Sequence, residues 1–436
     1  MNRRRFLGAT AALSSASALA NTTGKPALLG GAPVKLEGSR KWPIFDQTEE
    51  KALLEVLRSG KWYRGSGNAV RTFEQKYEQL TGAKHCLATS SGTSALLTSL
   101  SAMGVTAGDE VILPPYTFVA TLNVILEKHA MPIFVDSDPE TFQMNARKVE
   151  AAITPRTKAI LPVHMAGAPA DLDTILATAA KHNVPVLEDA CQAHLGEWRN
   201  RKVGTYGLAG CFSFQASKNL NSGEGGAVLT ADSDLFQRCS AFHNNSHSSH
   251  AGRSASFDAY QAPGLNLRMT EFQAGLLVAQ MTRLEAQSKI RESNARYLTS
   301  LLKEIPGIVP ARLHDGCTRN AWHLYMLRYD KTKFANLPRA KFLKALAAEG
   351  VPASPGYTPL NKARLIQTAF ASRGFQRLFS EAELKSWAAR NHCPDNDQLC
   401  QDAVWFTQTV LLGPREDMDR IAEAMRKIQT YAHTLV

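Results

Sequence analysis

The chain has 436 residues, 44% of them hydrophobic, enough to bury a large core and too long for one ordinary domain. Ordinary Gly and Pro usage excludes collagen-like and wholly disordered chains, and there is no solenoid-length repeat or heptad run. The formal charge is +11, but beyond Arg3, Arg4 and Arg5 the cations are interspersed with acids. No Lys/Arg stripe carries interleaved aromatics, which argues against nucleic acid as a partner.

The chain opens MNRRRFLGATAALSSASALA. A basic start runs into a short Ala-rich apolar segment ending Ala18-Leu19-Ala20, the small-x-small form of a signal-peptide cleavage site. Arg3-Arg4-Arg5-Phe6-Leu7 fits the twin-arginine pattern. Residues 1–20 are therefore expected to be a twin-arginine signal peptide, and the protein to be exported to the periplasm. A disordered tail on a cytoplasmic protein is the alternative. The apolar stretch is too short for a stable membrane span.

Residues 21–45 read as an extended arm. Residues 46–59 have helical spacing, with Asp46 as cap and Glu49 three residues on; GKWYRGSGNAV reads as a loop and 70–81 as an amphipathic helix. From about 84, short apolar runs alternate with helical stretches. HCLAT precedes a helix from Thr93, EVILP a helix from about Phe118, PIFVD the segment NARKVEAAI, and KAILPV a helix from about Asp171. VPVLED, AGCFSFQ and GGAVLT follow. This alternation predicts an α/β fold, with a mainly parallel sheet covered by helices on both faces and ligands at the carboxyl ends of its strands. Residues 270–305 form a long helix. Beyond Pro306-Gly307 come a strand around WHLYMLRY, a helix from about Pro338, a loop-rich middle and a terminal helix from about Pro414. The expected organisation is an arm and large domain over 21–290 and a small C-terminal α/β domain over 291–436. Seven scattered cysteines, an odd number with no CxxC, argue against a disulfide framework and a zinc site.

The chemistry-bearing residues fall at strand ends. In GCFSFQASKNLNSGEGGAVLT, a buried strand passes Ser213 and reaches Lys218 before a Gly-rich turn. A lysine among apolar and small residues can have a lowered pKa and attack an aldehyde. In VPVLEDACQAH, Asp189 ends a strand, where a carboxylate can pair with a protonated pyridine nitrogen or cap a helix; Gln192 can hydrogen-bond a ring hydroxyl. In LATSSGTSALLTSL, a strand enters a turn and a helix, so Ser91, Gly92, Thr93 and Ser94 can cradle a phosphate or serve as ordinary caps. Phe118 follows a Pro-Pro turn, placed to stack on a ring or to fill the core. Asn266 and Arg268, in PGLNLRMTEFQAGL, stand beside a helix start, able to bind phosphate or to cap. Tyr63, Arg64, His243, Asn244, His323 and Tyr357 are candidates for a substrate pocket, each equally suited to a structural role.

In this order, SFQASK with its following GEGG, EDACQAH and GLNLRMTEFQ resemble the DegT/StrS family of PLP-dependent aminotransferases, over roughly residues 25–435. The resemblance implies the fold-type-I architecture, pyridoxal 5′-phosphate as cofactor, and a homodimer with shared active sites. It further implies amino transfer from glutamate or glutamine to a keto-sugar or cyclitol ketone. By it, Lys218 forms the Schiff base, Asp189 pairs with the pyridine nitrogen and Phe118 stacks on the ring. Gly92, Thr93 and Ser213 hold the phosphate, and Asn266 reaches it from the neighbouring subunit. Gln192 stands where many nucleotide-sugar members carry His. With RNAWHLYMLRY and DNDQLCQDAVWFTQTVLLG, it is more similar to the branch acting on cyclitol ketones such as scyllo-inosose. Lys218 argues against the sugar dehydratases of the family, in which His replaces the lysine. The competing reading from another class is a PLP-binding regulatory or sensory protein without turnover.

Overall fold

The computed structural model describes residues 24–37, 41–247 and 263–436. The expected signal peptide and its cleavage site lie outside the described residues.

The alternating apolar runs become β1 (His85–Thr89), β2 (Glu110–Leu113), β3 (Met131–Phe134), β4 (Thr157–Ile160) and β5 (Leu187–Asp189). A small ribbon follows, β6 (Glu197–Trp198) and β7 (Arg201–Lys202), then β8 (Ala209–Ser213) and β9 (Gly226–Thr230). β2 pairs in parallel with β3 and β4, and β5 in parallel with β8. Parallel bridges at Ile160–Val186 and Val163–Asp189 join β4 to β5. Only β9 runs against its neighbours, pairing antiparallel with β8 and β1. The order is thus β3-β2-β4-β5-β8-β9-β1, the mainly parallel sheet that the alternation predicted.

Both faces of this sheet are buried. Side chains alternate along a strand, so Cys211 of β8 enters one core with Leu87, Val111 and Ile160, while Phe212 enters another with Phe73, Tyr77 and Leu277. Continuous burial along β2, β8 and β9 follows from this double cover. Local signals set the helix starts. Asp46 and Glu49 form the predicted capping box of Gln47–Ser59, Ser91 caps Gly92–Ala102, and Asp171 caps Leu172–His182.

The helix Glu271–Leu302 belongs to both halves of the molecule. Its first turns pack on the sheet through Ala274 and Leu277. Ala295, Leu298 and Leu302 enter a separate core beneath an antiparallel sheet of β10 (Ile308–Pro310), β12 (Leu324–Tyr329) and β13 (Ala403–Thr407). The remaining strand, β11 (Cys317–Arg319), pairs with β6. Helices Arg339–Ala348 and Arg415–Thr430 complete the second core.

The segment expected to be loop-rich carries four helices, Arg364–Phe370, Arg373–Leu378, Glu381–Arg390 and Pro394–Asp402. All are ten residues or shorter, and so show little helical periodicity in sequence. Although they follow residue 291, Ile366, Phe370, Phe375 and Trp387 pack into the core of the large sheet. Trp387 Nε1 donates to Pro132 O at 2.8 Å, and Phe134 N to Asn391 Oδ1 at 2.6 Å. Conversely, Val34 and Leu36 of the N-terminal arm lie on the second core.

Among the described residues no helix is long and apolar enough to cross a membrane, and no His/Cys/Asp/Glu cluster could hold a metal ion. All seven cysteines are unpaired.

Candidate active site

Asp189 and Glu188 end β5 on opposite faces, and the two carboxylates differ in every partner. Glu188 is fully buried and accepts backbone N–H bonds from Gly204, Tyr206 and Gly207 at 2.7–2.8 Å, and a bond from His164 Nε2 at 2.9 Å. Burial works to raise its pKa, but His164 and the backbone donors outweigh it and hold the carboxyl below the usual carboxylate range. Four donors saturate Glu188, which makes it a structural clamp on the 204–207 turn. Asp189 keeps acceptor capacity. Its Oδ2 takes the Thr121 hydroxyl at 2.8 Å and its Oδ1 the Cys191 N–H at 3.1 Å. Thr121 lies in the first turn of the helix Val119–Glu127, capped by Phe118. One helix start therefore orients the carboxylate and presents the Phe118 ring, which is 55% exposed.

β8 and β9 are joined by the loop that carries Lys218. Phe214 N donates to Gly225 O, Ala216 N to Gly223 O and Lys218 N to Gln215 O, all at 2.8–2.9 Å, folding the loop back on itself. Trp42 of the arm closes it from outside, with Nε1 donating to Ala216 O at 2.7 Å. Burial pushes the Lys218 amine below the ordinary lysine range, while Cys191 and Asp189 act in the opposite direction. Two neutral histidines stand near it. Burial holds His194 down to about 3, and the charges of Lys218 and Arg291 add to this. His323 is pushed the same way by burial and by Lys218. Its Nδ1 lies 3.3 Å from Asn219 Oδ1, next in sequence to Lys218.

β1 delivers the third part. Ser91 caps the helix Gly92–Ala102 through Ser94 N at 3.0 Å. Gly92 is buried against Ser213 and Cys191; a Cβ there would sit 2.7 Å from Ser213 Cβ and 2.9 Å from Cys191 Sγ. Thr93 is exposed at the same helix start. A helix N-terminus approached by two hydroxyl residues and kept narrow by a glycine suits a phosphate.

Gln192 is buried, with Oε1 accepting from Ala166 N at 2.9 Å and Nε2 donating to Tyr357 Oη at 3.3 Å. Of the six pocket candidates, His323 and Tyr357 therefore reach the Lys218–Asp189 region. The other four gather at the end of β1. Arg64 bonds Ala88 O, Glu74 and His243, and Asn244 Oδ1 takes Arg268 Nη1 at 2.9 Å. The exposed Tyr63 ring lies 5.4 Å from the Arg268 guanidinium. Asn266 is exposed beside this group, bridged through its backbone to Asn244.

Thr121, Trp42 and His194 were not singled out from the sequence. Thr121 had a signal: it lies one helical turn beyond Phe118, which the Pro-Pro bend flagged. His194 stood in the quoted EDACQAH segment. Trp42 had none, because the arm meets the loop across 174 positions of sequence.

Taken together, these residues fit pyridoxal phosphate: a hydrogen-bonded carboxylate with capacity to spare, a half-buried lysine whose amine pKa is lowered, an exposed aromatic ring and a narrow helix N-terminus. Comparison with known proteins agrees. The chain is 39% identical over 416 residues to an L-glutamine:2-deoxy-scyllo-inosose aminotransferase of Streptoalloteichus tenebrarius, covering 92% of this chain and 97% of that one. It is 34% identical over 384 residues to a 3-amino-5-hydroxybenzoate synthase of Amycolatopsis mediterranei, covering 88% and 95%. Among solved structures, 3-amino-5-hydroxybenzoic acid synthase superposes with a TM-score of 0.81 at 32% identity, covering 90% of this chain and 99% of that one. An aminotransferase from Psychrobacter cryohalolentis gives 0.78 at 29%, with the same coverage. The architecture is thus that of the fold-type-I PLP-dependent aminotransferases. With its family model matching residues 43–426, the chain belongs to the DegT/DnrJ/EryC1/StrS aminotransferase family and is a PLP-dependent aminotransferase.

Proposed function

We propose that this aminotransferase moves an amino group from glutamine, or from glutamate, to a cyclitol ketone of the scyllo-inosose type or a related keto-sugar. The observation that carries the reading is the placement of Lys218, in the loop that leaves β8, near Asp189 at the end of the adjacent strand β5, the amine lowered in pKa by desolvation and the carboxylate held by Thr121. The cyclitol branch is supported by the relatives named as L-glutamine:2-deoxy-scyllo-inosose aminotransferases, at 37% identity in Streptomyces kanamyceticus as well as in Streptoalloteichus.

When bound, the cofactor supplies an aldehyde and a ring that takes up the electron pair released at the donor carbon. Asp189 holds a proton at the ring nitrogen, and Thr121 and the Cys191 N–H keep its carboxylate in place. Gly92, Thr93 and Ser213 bind the phosphate, with Asn266 completing that site from a partner subunit in a homodimer. Phe118 would lie against the ring and Gln192 would donate to its 3-oxygen. Lys218 would hold the aldehyde and, once its amine is free, would carry a proton at Nζ between the donor carbon and the cofactor carbon. A pKa below the ordinary lysine range keeps more of the amine neutral at a given pH, which favours its acting first as base and then as acid. The same residues serve the acceptor half-reaction in reverse.

Purified enzyme given glutamine or glutamate with scyllo-inosose, 2-deoxy-scyllo-inosose and nucleotide-linked 3-keto and 4-keto sugars is expected to aminate a cyclitol ketone. Turnover of the nucleotide sugars alone would overturn the cyclitol reading. Mixing Lys218→Ala with Asn266→Ala protein is expected to restore part of the activity through heterodimers; none, despite proven subunit exchange, would count against shared sites.

The sequence of residues 1–20 supports export of the folded enzyme to the periplasm. Changing Arg3 and Arg4 to Lys is expected to retain the precursor in the cytoplasm. A wild-type protein that stays there and begins at Met1 would refute export and leave the aminotransferase reading intact.

A further inference from the structure

The Gln192 side chain meets Tyr357 of the C-terminal half through a hydrogen bond, and that bond has a direction. Ala166 N–H can only donate, so the Gln192 atom 2.9 Å from it is the carbonyl Oε1. Ala166 is held for this bond. It sits at φ +60°, in the left-handed region, within the turn Met165–Gly167. Both flanks are tied: Gln143 exchanges two bonds of 3.2 Å with Met165, and His323 N donates to Ala166 O at 2.8 Å. The carboxamide is therefore presented nitrogen outward. One Nε2 hydrogen goes to Tyr357 Oη at 3.3 Å, and the other has no partner among the described residues.

Tyr357 is itself fixed by the sheet of the second core. Its ring stands edge-on to Trp405 of β13 at 4.7 Å and to Tyr116 at 5.4 Å. Ser354 and Trp405 exchange two backbone bonds of 3.0 Å. Between them Gly356 turns at φ +81°, where a Cβ would come 2.6 Å from Tyr116 Oη. Tyr116 is two residues from Phe118. Burial pushes the Tyr357 phenol up to about 12, against the Gln192 bond, so its oxygen stays protonated and accepts from the amide as a neutral group.

We propose that Tyr357 is a positioning residue for the cofactor's 3-oxygen: by accepting one Nε2 hydrogen it fixes the Gln192 carboxamide so that the remaining N–H serves that oxygen, and it ties this contact to the packing of β13. The inference rests on the assignment of Gln192 to the 3-oxygen made above. A donor at this oxygen stabilises its anion and makes it a poorer acceptor for the Schiff-base proton. It therefore lowers the pH at which the bound cofactor's visible band changes.

The test is a spectroscopic pH titration of the holoenzyme and its variants. Gln192→Ala is expected to raise the midpoint by about one unit, the worth of a hydrogen bond to a charged oxygen. Tyr357→Phe keeps both aromatic contacts and is expected to raise it by about half a unit. The double variant is expected to match Gln192→Ala alone, because Tyr357 acts through the amide. If Gln192→Ala shifts the midpoint while Tyr357→Phe does not, or if the two shifts add, the positioning role is refuted and the Gln192 assignment stands. If Gln192→Ala leaves the midpoint in place, the Gln192 assignment fails, and the Tyr357 proposal with it.

Discussion

The Thr121 hydroxyl lies 2.8 Å from Asp189 Oδ2, while the opposite oxygen is held by the Cys191 N–H at 3.1 Å. A carboxylate that must serve a ring nitrogen has to be fixed without being saturated, and two donors leave it room to accept more. Thr121→Val removes one donor at nearly constant volume. A hydrogen bond to a charged group contributes about 1.5–3 kcal/mol, so kcat is expected to fall roughly tenfold or more with cofactor content retained. Thr121→Ser should stay near wild type. Steady-state kinetics beside spectroscopic cofactor counts decide it; unchanged kcat in the valine variant would remove Thr121 from the site.

Lys218 gives a pH prediction of definite sign. Burial lowers its pKa, so the neutral, nucleophilic amine persists to lower pH than for an ordinary lysine near 10.5. The rate at which apoenzyme captures PLP is therefore expected to rise with pH through a midpoint clearly below that value. Stopped-flow absorbance against pH measures it. Borohydride should trap cofactor in wild type and none in Lys218→Ala; label on another lysine would overturn the assignment.

The site was legible in sequence where chemistry sits at the end of a periodic strand. Lys218, Gly92 and Phe118 follow, and Asp189 ends, runs whose β character is plain, and the alternation that revealed β1 to β5, β8 and β9, though not the two-residue strands β6 and β7, also placed their carboxyl ends. Partners supplied from far along the chain were not legible. Tyr357 reaches Gln192 across 165 positions, and Trp42 reaches Ala216 across 174. No local pattern encodes such a contact. The helices between Arg364 and Asp402 were missed for a different reason. Each is too short for periodicity, and their apolar residues are committed to the distant β3 face through Trp387 and Asn391.

Gly92 is expected to tolerate no side chain. An alanine Cβ would lie 2.7 Å from Ser213 Cβ and 2.9 Å from Cys191 Sγ, so either the helix start or the β8 end must shift. Overpacking of this kind costs about 1–3 kcal/mol. Because the shift falls at the proposed phosphate site, Gly92→Ala should weaken PLP binding roughly tenfold while leaving far-ultraviolet circular dichroism unchanged. Titration of apoenzyme with PLP gives the answer, and wild-type affinity would argue that the phosphate sits elsewhere.

His194 ties the site to acid stability. It is buried against Phe212 and Phe214, neither ring nitrogen has a hydrogen-bond partner among the described residues, and burial, with Lys218 and Arg291 nearby, holds its pKa down to about 3 from 6.5. The folded state therefore keeps His194 neutral at pH values where the unfolded chain binds a proton. As pH falls below 6.5 the unfolded state gains protons and the folded state does not, so stability drops until about pH 3 is reached. One such group contributes a slope of about 1.4 kcal/mol per pH unit. His243 and His323, also depressed chiefly by burial, push in the same direction. His194→Leu keeps apolar contact with both phenylalanines and removes one of these protons. Between pH 7 and 5, wild type is expected to lose about 2 kcal/mol more than the variant. Urea unfolding of the two apoproteins at both pH values measures the difference, and equal losses would mean that His194 is protonated in the folded state.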